Sequence, residues 1–145
     1  MKAKPFSLGL VGTIAASCLL GGAIAIGAET GALEGKWEMV SATIGGHDAT
    51  ANEAGTFEIQ GSGVKLTRVS GTAERYEIEA VGEPQLHRLL WKHLNKDGAV
   101  GRVSKALYSR DGDSLTIILD KDFPASIKGN QSDSAEIIRL KLLGK

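Results

Sequence analysis

The sequence predicts an all-β fold of about eight antiparallel strands closed into an up-and-down barrel. After residue 28 the chain consists of short runs in which apolar and polar side chains alternate, and Gly, Asp, Asn and Ser separate these runs. This pattern is typical of antiparallel strands joined by tight turns. A regular alternation of helices and strands is missing, which argues against a parallel α/β fold. An up-and-down barrel or a strongly curved meander is the simplest closed arrangement for such strands, and we predict the barrel.

The first 28 of the 145 residues differ from the rest of the chain. Lys2 and Lys4 precede an uncharged, largely apolar run that ends in small residues at Ala28. A basic start, an apolar stretch and small residues before a cleavage point are typical of a secretory signal peptide. Cleavage after Ala25 and cleavage after Ala28 both fit. We therefore expect export to the periplasm or the extracellular space, with a mature domain over residues 29–145.

Two other roles for this segment stay open. Residues 6–28 could remain uncleaved as a membrane anchor, because an uncharged run longer than about 18 residues can span a bilayer. Alternatively, Cys18 could carry a lipid, since small residues precede it. The Gly and Ala content favours cleavage, and the apolar stretch after Cys18 argues against lipid attachment. After cleavage we expect no membrane association.

The mature domain is close to electrically neutral and has no cysteine. Removing the first 28 of 145 residues leaves 117, with 15 Lys and Arg against 17 Asp and Glu and a formal charge near −2. This balance gives no long-range attraction for nucleic acid or for an anionic membrane surface. Since the single cysteine is lost, no disulfide can form and the hydrophobic core must hold the fold alone.

The first half of the mature chain contains four predicted strands. The first, Lys36–Ile44, places Trp37 on one face and ends at two glycines. The polar stretch 47–55 fits either one helical turn or a loop. The next three strands form a meander with an apolar face that needs a cover, and they run over Thr56–Gln60, Val64–Val69 and Ala73–Ala80.

The segment 84–94 fits two kinds of structure. As a helix it would begin at Pro84 and carry an apolar stripe of Leu86, Leu89, Leu90 and Leu94. As a strand it would direct His87, Leu89, Trp91 and His93 to one face and the other leucines to the opposite face. We predict a strand, because every neighbouring element is a strand and a barrel needs its edges paired.

A hairpin and a final strand complete the predicted barrel. Asp111-Gly112 stands between two alternating runs, and this pair favours a type I′ turn. A two-residue loop at this point places Tyr108 opposite Leu115 and Ala106 opposite Ile117, with all four side chains on the buried face. A loop over 120–134 then leads to a last strand, Ala135–Leu143.

Two motifs carry a resemblance to a known family. They are Leu33-Glu34-Gly35-Lys36-Trp37-Glu38-Met39-Val40-Ser41-Ala42 and Tyr108-Ser109-Arg110-Asp111-Gly112-Asp113-Ser114-Leu115. From Leu33 to about Lys141 the chain resembles a family of small exported, lipocalin-like domains typical of planctomycete-type bacteria. These domains have no assigned function. The chain departs from the family pattern at 86–94 and at 118–120, which would line a cavity, so the resemblance implies no particular ligand.

The pair Gly35 and Trp37 is also similar to the first-strand motif of true lipocalins. There the tryptophan closes one end of the barrel and packs beneath an arginine of the last strand. The resemblance therefore implies a closed barrel floor in which Arg139 lies against Trp37 through a cation–π contact.

The sequence shows no constellation for catalysis, for a metal or for a cofactor. His87 and His93 would lie roughly 20 Å apart along a strand, too far to share one metal ion. Gly-x-Ser-x-Gly is missing, and no cysteine remains as a nucleophile. We therefore predict no catalytic residue, no metal ligand and no cofactor.

Six side chains are candidates for the core or for the lining of a pocket: Trp37, Phe57, Tyr76, Tyr108, Leu115 and Ile117. The leading hypothesis is a non-enzymatic exported domain that binds a small hydrophobic ligand inside the barrel. The alternative is an interaction or structural domain of the cell envelope with a filled core, which meets a protein partner through 47–55 and 120–134. A hydrolase would need a titratable group with a perturbed pKa inside a cleft.

Overall fold

The structure is a computed structural model, and it describes residues 31–129 and 131–144. Nine antiparallel strands make up most of this part of the chain. They are β1 Gly35–Ile44, β2 His47–Asp48, β3 Gly55–Gln60, β4 Gly63–Arg68, β5 Ala73–Val81, β6 Arg88–Leu94, β7 Val100–Asp111, β8 Ser114–Asp120 and β9 Glu136–Gly144. A four-residue helix, α1 (Thr50–Glu53), and a single 3₁₀ turn, Pro84–Leu86, accompany them. The predicted signal peptide, with Cys18, lies outside the described residues.

The strands close into a barrel of eight. From β3 to β9 each strand pairs with the next in sequence order, and β1 pairs with both β3 and β9. The two-residue β2 only extends the hairpin that follows β1. Closure satisfies the backbone groups that an open sheet would leave at its edges. The predicted all-β, lipocalin-like up-and-down barrel is confirmed.

The barrel interior is filled mainly with apolar side chains. Of the six predicted core or pocket residues, Trp37, Leu115 and Ile117 are 0% exposed, Phe57 is 1% exposed and Tyr108 is 4% exposed, while Tyr76 is partly buried against them. Successive side chains of a strand point to opposite faces, so alternate residues of every strand reach the same core. An eight-stranded barrel is close to the size at which side chains alone fill the interior.

The segment 84–94, whose sequence pattern fits either a helix or a strand, is a strand from Arg88 onward. β6 pairs with β5 on one side and with β7 on the other, so its backbone groups are satisfied from both directions. Leu89 and Trp91 point inward and are buried. Before the strand, His87 adopts a left-handed backbone with φ 53° and ends the 3₁₀ turn. The helical alternative is wrong because a helix here would leave the barrel open.

The turn of the β7–β8 hairpin lies one residue later than predicted. Asp111 pairs with Ser114, so the loop residues are Gly112 and Asp113. Gly112 has φ 61°, and Asp113 has no positive φ. A type II′ turn needs positive φ only at its first central residue, whereas the predicted type I′ turn would also force Asp111 into that region. Glycine therefore takes the first central position.

This change moves the pairing by two residues and leaves the faces unchanged. Tyr108 pairs with Ile117, and Ala106 pairs with Leu119, in place of the predicted partners. Because the side-chain period of a strand is two, a shift of two residues keeps every inward side chain inward. The predicted buried face is accordingly confirmed, while the predicted cross-strand pairs are wrong.

The floor of the barrel is the end closed by residues 32–34. Leu33 is fully buried, and its carbonyl oxygen accepts a 2.8 Å hydrogen bond from Nε1 of Trp37. The guanidinium of Arg110 lies 5.1 Å from the centre of the Trp37 ring and donates to the carbonyl of Ala32. Arg139 is exposed on β9, so the predicted pair of Trp37 and Arg139 is wrong. The cation comes from β7, which reaches the floor at its C-terminal end.

The long loop between β8 and β9 covers part of the outer surface. Ile118 points away from the barrel interior and is nevertheless 0% exposed, and Pro124 in the loop is buried as well. The ring of Phe123 lies 5.0 Å from the Arg88 guanidinium and 5.5 Å from the Lys105 ammonium. These contacts hold the loop against the barrel wall.

We expect Gly112→Ala to lower the free energy of unfolding by about 1 kcal/mol, because a side chain disfavours the left-handed backbone. A Cβ at this position meets no atom within 4 Å, so the cost comes from the backbone alone. Gly63→Ala is the matched control, since Gly63 lacks a positive φ and its Cβ would make only an ordinary contact of 3.5 Å. Urea denaturation of both variants measures the difference, and equal stabilities would contradict the turn assignment.

Candidate functional site

A cavity of about 80 Å³ lies inside the barrel at the end opposite the floor. We call this end the mouth; it is where α1 and the β4–β5, β6–β7 and β8–β9 connections lie. All eight barrel strands and α1 contribute lining residues, so the cavity lies on the barrel axis. The deep, apolar part of the cavity is a different feature from the floor of the barrel, and we call it the cavity floor or apolar floor. It is formed by Met39, Phe57, Leu66, Trp91, Leu119 and Ile138.

A ring of charged side chains surrounds the cavity above this apolar floor. On several strands a charged residue, or on β6 a histidine, lies two positions nearer the mouth than a deeper lining residue, and therefore on the same inward face. The pairs are Leu66 with Arg68, Tyr76 with Glu74, Trp91 with His93, Ser104 with Arg102 and Ile138 with Glu136. Glu53 of α1 completes the ring. The cavity is thus apolar at depth and charged at its opening.

Arg68 and Glu74 form the central ion pair of the ring. Nε and Nη2 of Arg68 each lie 2.9 Å from Oε2 of Glu74. The hydroxyl of Tyr76 donates a 2.5 Å hydrogen bond to the other oxygen, Oε1. Nε2 of His93 lies 3.9 Å from the same oxygen. Both oxygens of Glu74 therefore already have partners within the protein.

These contacts shift the ionisation of the three groups. The hydrogen bonds from Arg68 hold the pKa of the Glu74 carboxyl below its usual range, against the opposing effect of burial. The hydrogen bond to Glu74 raises the pKa of Arg68. Burial, reinforced by the adjacent Glu74 carboxylate, raises the pKa of the Tyr76 hydroxyl. At neutral pH the network consists of a carboxylate, a guanidinium and a protonated phenol.

The same arginine ties α1 to the mouth. Nη1 of Arg68 lies 3.1 Å from Oε1 of Glu53 and also donates to the carbonyl of Asn52 at 3.4 Å. The start of the helix is held separately, since the Thr50 hydroxyl donates to Asp48 and accepts from the Ala42 amide. With these bonds every nitrogen of the Arg68 guanidinium has a partner, and the helix is fixed beside the opening.

Glu136 differs from the other carboxylates of the ring. It is half-buried at the start of β9, and its side chain forms no hydrogen bond or ion pair within the described residues. Burial raises its pKa, and the charge of Glu53 adds to the effect, while the positive charges of Arg102 and Arg68 partly oppose it. Arg102 is exposed at the mouth on β7. Glu136 is therefore the cavity's carboxylate without a direct partner.

A chain of aromatic rings begins at Phe57 and Trp91, at the apolar end of the cavity, and continues along one side of it through Tyr76 to His93; we call this side the aromatic wall. The rings of Phe57 and Trp91 meet edge to face with centres 6.4 Å apart. Trp91 and Tyr76 are tilted with centres 5.4 Å apart, and Tyr76 meets His93 edge to face at 5.3 Å. All four side chains line the cavity. Such contacts fix the rings relative to one another.

The six residues predicted to line a core or a pocket divide into two groups. Phe57 and Tyr76 line the cavity, whereas Trp37, Tyr108, Leu115 and Ile117 pack in the core outside it. Neither the charged ring nor the position of Trp91 in the cavity wall was predicted from the sequence. One sequence pattern could have predicted the ring. Several strands carry a charged residue at their mouth end, two positions from an inward apolar residue.

The histidines do not converge. His93 lies in the cavity wall, while His87 lies at the floor end of β6 and stacks on Tyr108 with ring centres 4.8 Å apart. Across residues 31–129 and 131–144 no three His, Cys, Asp or Glu side chains are grouped as metal ligands. No helix in the described residues has the length and apolarity needed to cross a membrane.

Fold and cavity together define the class of protein: a closed, eight-stranded, lipocalin-like antiparallel barrel with a small axial cavity that is apolar inside and charged at its mouth. No protein-family model matches the chain, and no curated protein or solved structure matches it either.

We expect Arg68→Met to lower the free energy of unfolding at pH 7 by about 1–2 kcal/mol, because it removes charged hydrogen bonds at a partly exposed site. The loss should shrink as the pH falls. Glu74 has a lowered pKa in the fold, so its ionised form stabilises the protein above the pKa of the unfolded chain, and this contribution disappears as Glu74 is protonated. Urea denaturation between pH 7 and pH 3 measures the dependence.

Lys92→Met is the control for this experiment. Lys92 pairs with Glu79 at 2.7 Å on the outer surface of the barrel, and we expect a smaller loss of stability at pH 7. If Arg68→Met costs as much at pH 3 as at pH 7, the side chain stabilises the mouth through packing and not through its charge.

Proposed function

We propose that this protein is an exported, non-enzymatic binding domain that takes a small ligand, or the end of a larger one, into the mouth of the barrel. The observation that carries the proposal is the axial cavity, which lies between an apolar floor and a charged ring and to which all eight barrel strands contribute. Mouths of β-barrels are common ligand sites. The export part of the proposal rests on the signal-peptide pattern of residues 1–28.

The size of the cavity limits what can enter. A water molecule occupies about 30 Å³ in the liquid, so a cavity of about 80 Å³ takes the space of two or three waters. Drug-sized ligands use pockets of roughly 300–1,000 Å³. Trp37, Tyr108 and Leu115 fill the barrel below the cavity. The cavity is therefore too small for a whole drug-sized hydrophobic ligand, and we propose that only a short apolar group of the ligand reaches the cavity floor.

The polar groups of the ring support binding more than catalysis. Glu136 satisfies one requirement for a hydrolase, because it is a carboxyl with a raised pKa in a cleft. Its neighbours supply no activated nucleophile: the Tyr76 hydroxyl donates to Glu74 and has a raised pKa, and Arg68 is fully engaged. This arrangement favours a site that holds a group without transforming it.

An interaction domain with a filled core is the second candidate. Its support is the small share of the interior that is empty and the exposure of apolar side chains on the outer wall, where Val40 is 57% exposed on β1 and Leu143 is 54% exposed on β9. These two strands are neighbours in the barrel. The contact regions predicted for this role, 47–55 and 120–134, remain predictions.

Titration of the ¹⁵N-labelled protein with 2-propanol tests the binding proposal. This neutral probe can place a methyl group in the cavity, and a limit of about 1.5 kcal/mol for each of its four non-hydrogen atoms, about 6 kcal/mol in all, means that its Kd cannot be lower than roughly 40 μM. We expect saturable shifts of the Trp91 indole signal, because Trp91 lines the cavity. The Trp37 indole, bonded to Leu33 at the floor, is an internal control that should not move.

Ser104→Leu should abolish these shifts by filling the cavity that Ser104 lines. Ser109→Leu is the matched control, since Ser109 lies on the same strand outside the cavity and should leave binding unchanged. If neither 2-propanol nor a charged molecule of similar size produces saturable shifts at Trp91, the binding proposal fails and the interaction domain is favoured.

A further inference from the structure

We infer that the group received by the mouth of the barrel is a small organic cation, held between the carboxylate of Glu136 and the aromatic wall of Phe57, Trp91 and Tyr76. This inference rests on the proposed binding function of the same cavity and names its ligand class. An amine or a methylated ammonium carried on a short apolar group has the required chemistry, with the apolar part on the cavity floor and the charge at the level of Glu136.

The first support comes from the charged groups that already have partners. Glu74 accepts two bonds from Arg68 and one from Tyr76, and Arg68 also holds Glu53. This cluster can keep its bonds while a ligand occupies the cavity. Within the described part of the chain, Glu136 is left as the half-buried carboxylate of the cavity that makes no direct ion pair or hydrogen bond.

The second support comes from the position of the aromatic wall. In a closed ring of eight strands β9 lies opposite β5, and β6 is next to β5. Glu136 at the start of β9 therefore faces across the axis towards Tyr76 on β5 and Trp91 on β6. Aromatic faces attract cations, and aromatic walls are used in sites for quaternary and methylated ammonium groups. A carboxylate opposite such a wall complements a cation on both sides.

The charge balance of the lining argues against an anion. The cavity is lined by the three carboxylates Glu53, Glu74 and Glu136, and by the two guanidinium groups of Arg68 and Arg102. Arg68 is fully engaged, and Arg102 is exposed at the rim. An anion that entered the cavity would be repelled by Glu136, with only the exposed Arg102 to oppose the repulsion, whereas a cation would compensate the charge of Glu136.

The ionisation of Glu136 agrees with this charge balance. Its raised pKa arises from burial and from the charges of Glu53 and Glu74, which outweigh the attraction of Arg102 and Arg68. These are the titratable and charged groups that act on it across the cavity, together with His93 in the opposite wall. The part of this effect that comes from the negative charges of Glu53 and Glu74 also favours another positive charge beside the carboxylate, whereas burial by itself does not.

Three probes that share an isopropyl group test the inference: isopropylammonium, neutral 2-propanol and the larger, anionic isobutyrate. Each is titrated at pH 7 into the ¹⁵N-labelled protein, with the Trp91 indole as the reporter and the Trp37 indole as the control. We expect isopropylammonium to bind about tenfold more tightly than 2-propanol, since a charge-assisted contact replaces a neutral one. Isobutyrate should bind most weakly.

Glu136→Gln removes the charge and keeps the shape of the side chain. In this variant isopropylammonium should bind no more tightly than 2-propanol, and 2-propanol should keep its affinity. Glu38→Gln is the control for net charge, because Glu38 is exposed on β1 outside the cavity and its replacement should leave all three affinities within about twofold. Proton spectra with unchanged Trp37 signals verify that each variant is folded.

The outcomes separate the two proposals. A preference for isopropylammonium that Glu136→Gln abolishes supports the inference. Equal binding of the three probes, tighter binding of isobutyrate, or a cation preference that survives Glu136→Gln overturns it and leaves the binding function intact. Binding of none of the probes overturns the binding function and the cation inference together.

Discussion

The pairing of β1 with β9 is the interaction on which the rest of the structure depends. The eight barrel strands follow one another as a meander from β1 through β3 to β9, and only the β1–β9 pairing converts this meander into a barrel with an interior. It brings the two ends of the described chain together, so that Trp37 on β1 closes the floor while Glu136 on β9 faces the cavity. Because it joins strands distant in sequence, closure pays a loop-closure entropy that the shared core must offset.

The openings at the two ends of the barrel are covered in different ways. At the floor the chain itself crosses the opening: Gly35 has φ 142°, and a Cβ there would lie 2.9 Å from Leu142 and 3.0 Å from the carbonyl of Gly144, so glycine lets the chain turn into β1. At the mouth, charged side chains surround the opening. They are tolerated because they pair or reach water, and no fully buried side-chain nitrogen or oxygen in the described residues lacks a hydrogen bond.

Period-two alternation was sufficient to predict the barrel and the side chains that fill it, because that pattern is set by burial on one face of each strand. It was insufficient where local and long-range constraints compete. The hairpin turn lies one residue later than predicted, because Gly112 takes the position that needs a positive φ. The cation at the floor of the barrel is Arg110 and not Arg139, because β7 ends at the floor. The charged ring escaped notice because a charge at a strand end is usually solvated, and its inward direction follows only from closure.

Glu136 is the side chain of the ring that folding alone does not explain. The other charges of the network stabilise one another: Arg68 joins β4, β5 and α1, and Glu74 completes its bonds. Glu136 has a raised pKa, so as an ionised group at neutral pH it is less favourable in the fold than in the unfolded chain. A local cost within an otherwise consistent structure is the usual mark of a functional position. A positively charged group that enters the neighbouring cavity, as proposed above, would offset this cost, because it would pair with Glu136 and lie against the aromatic wall.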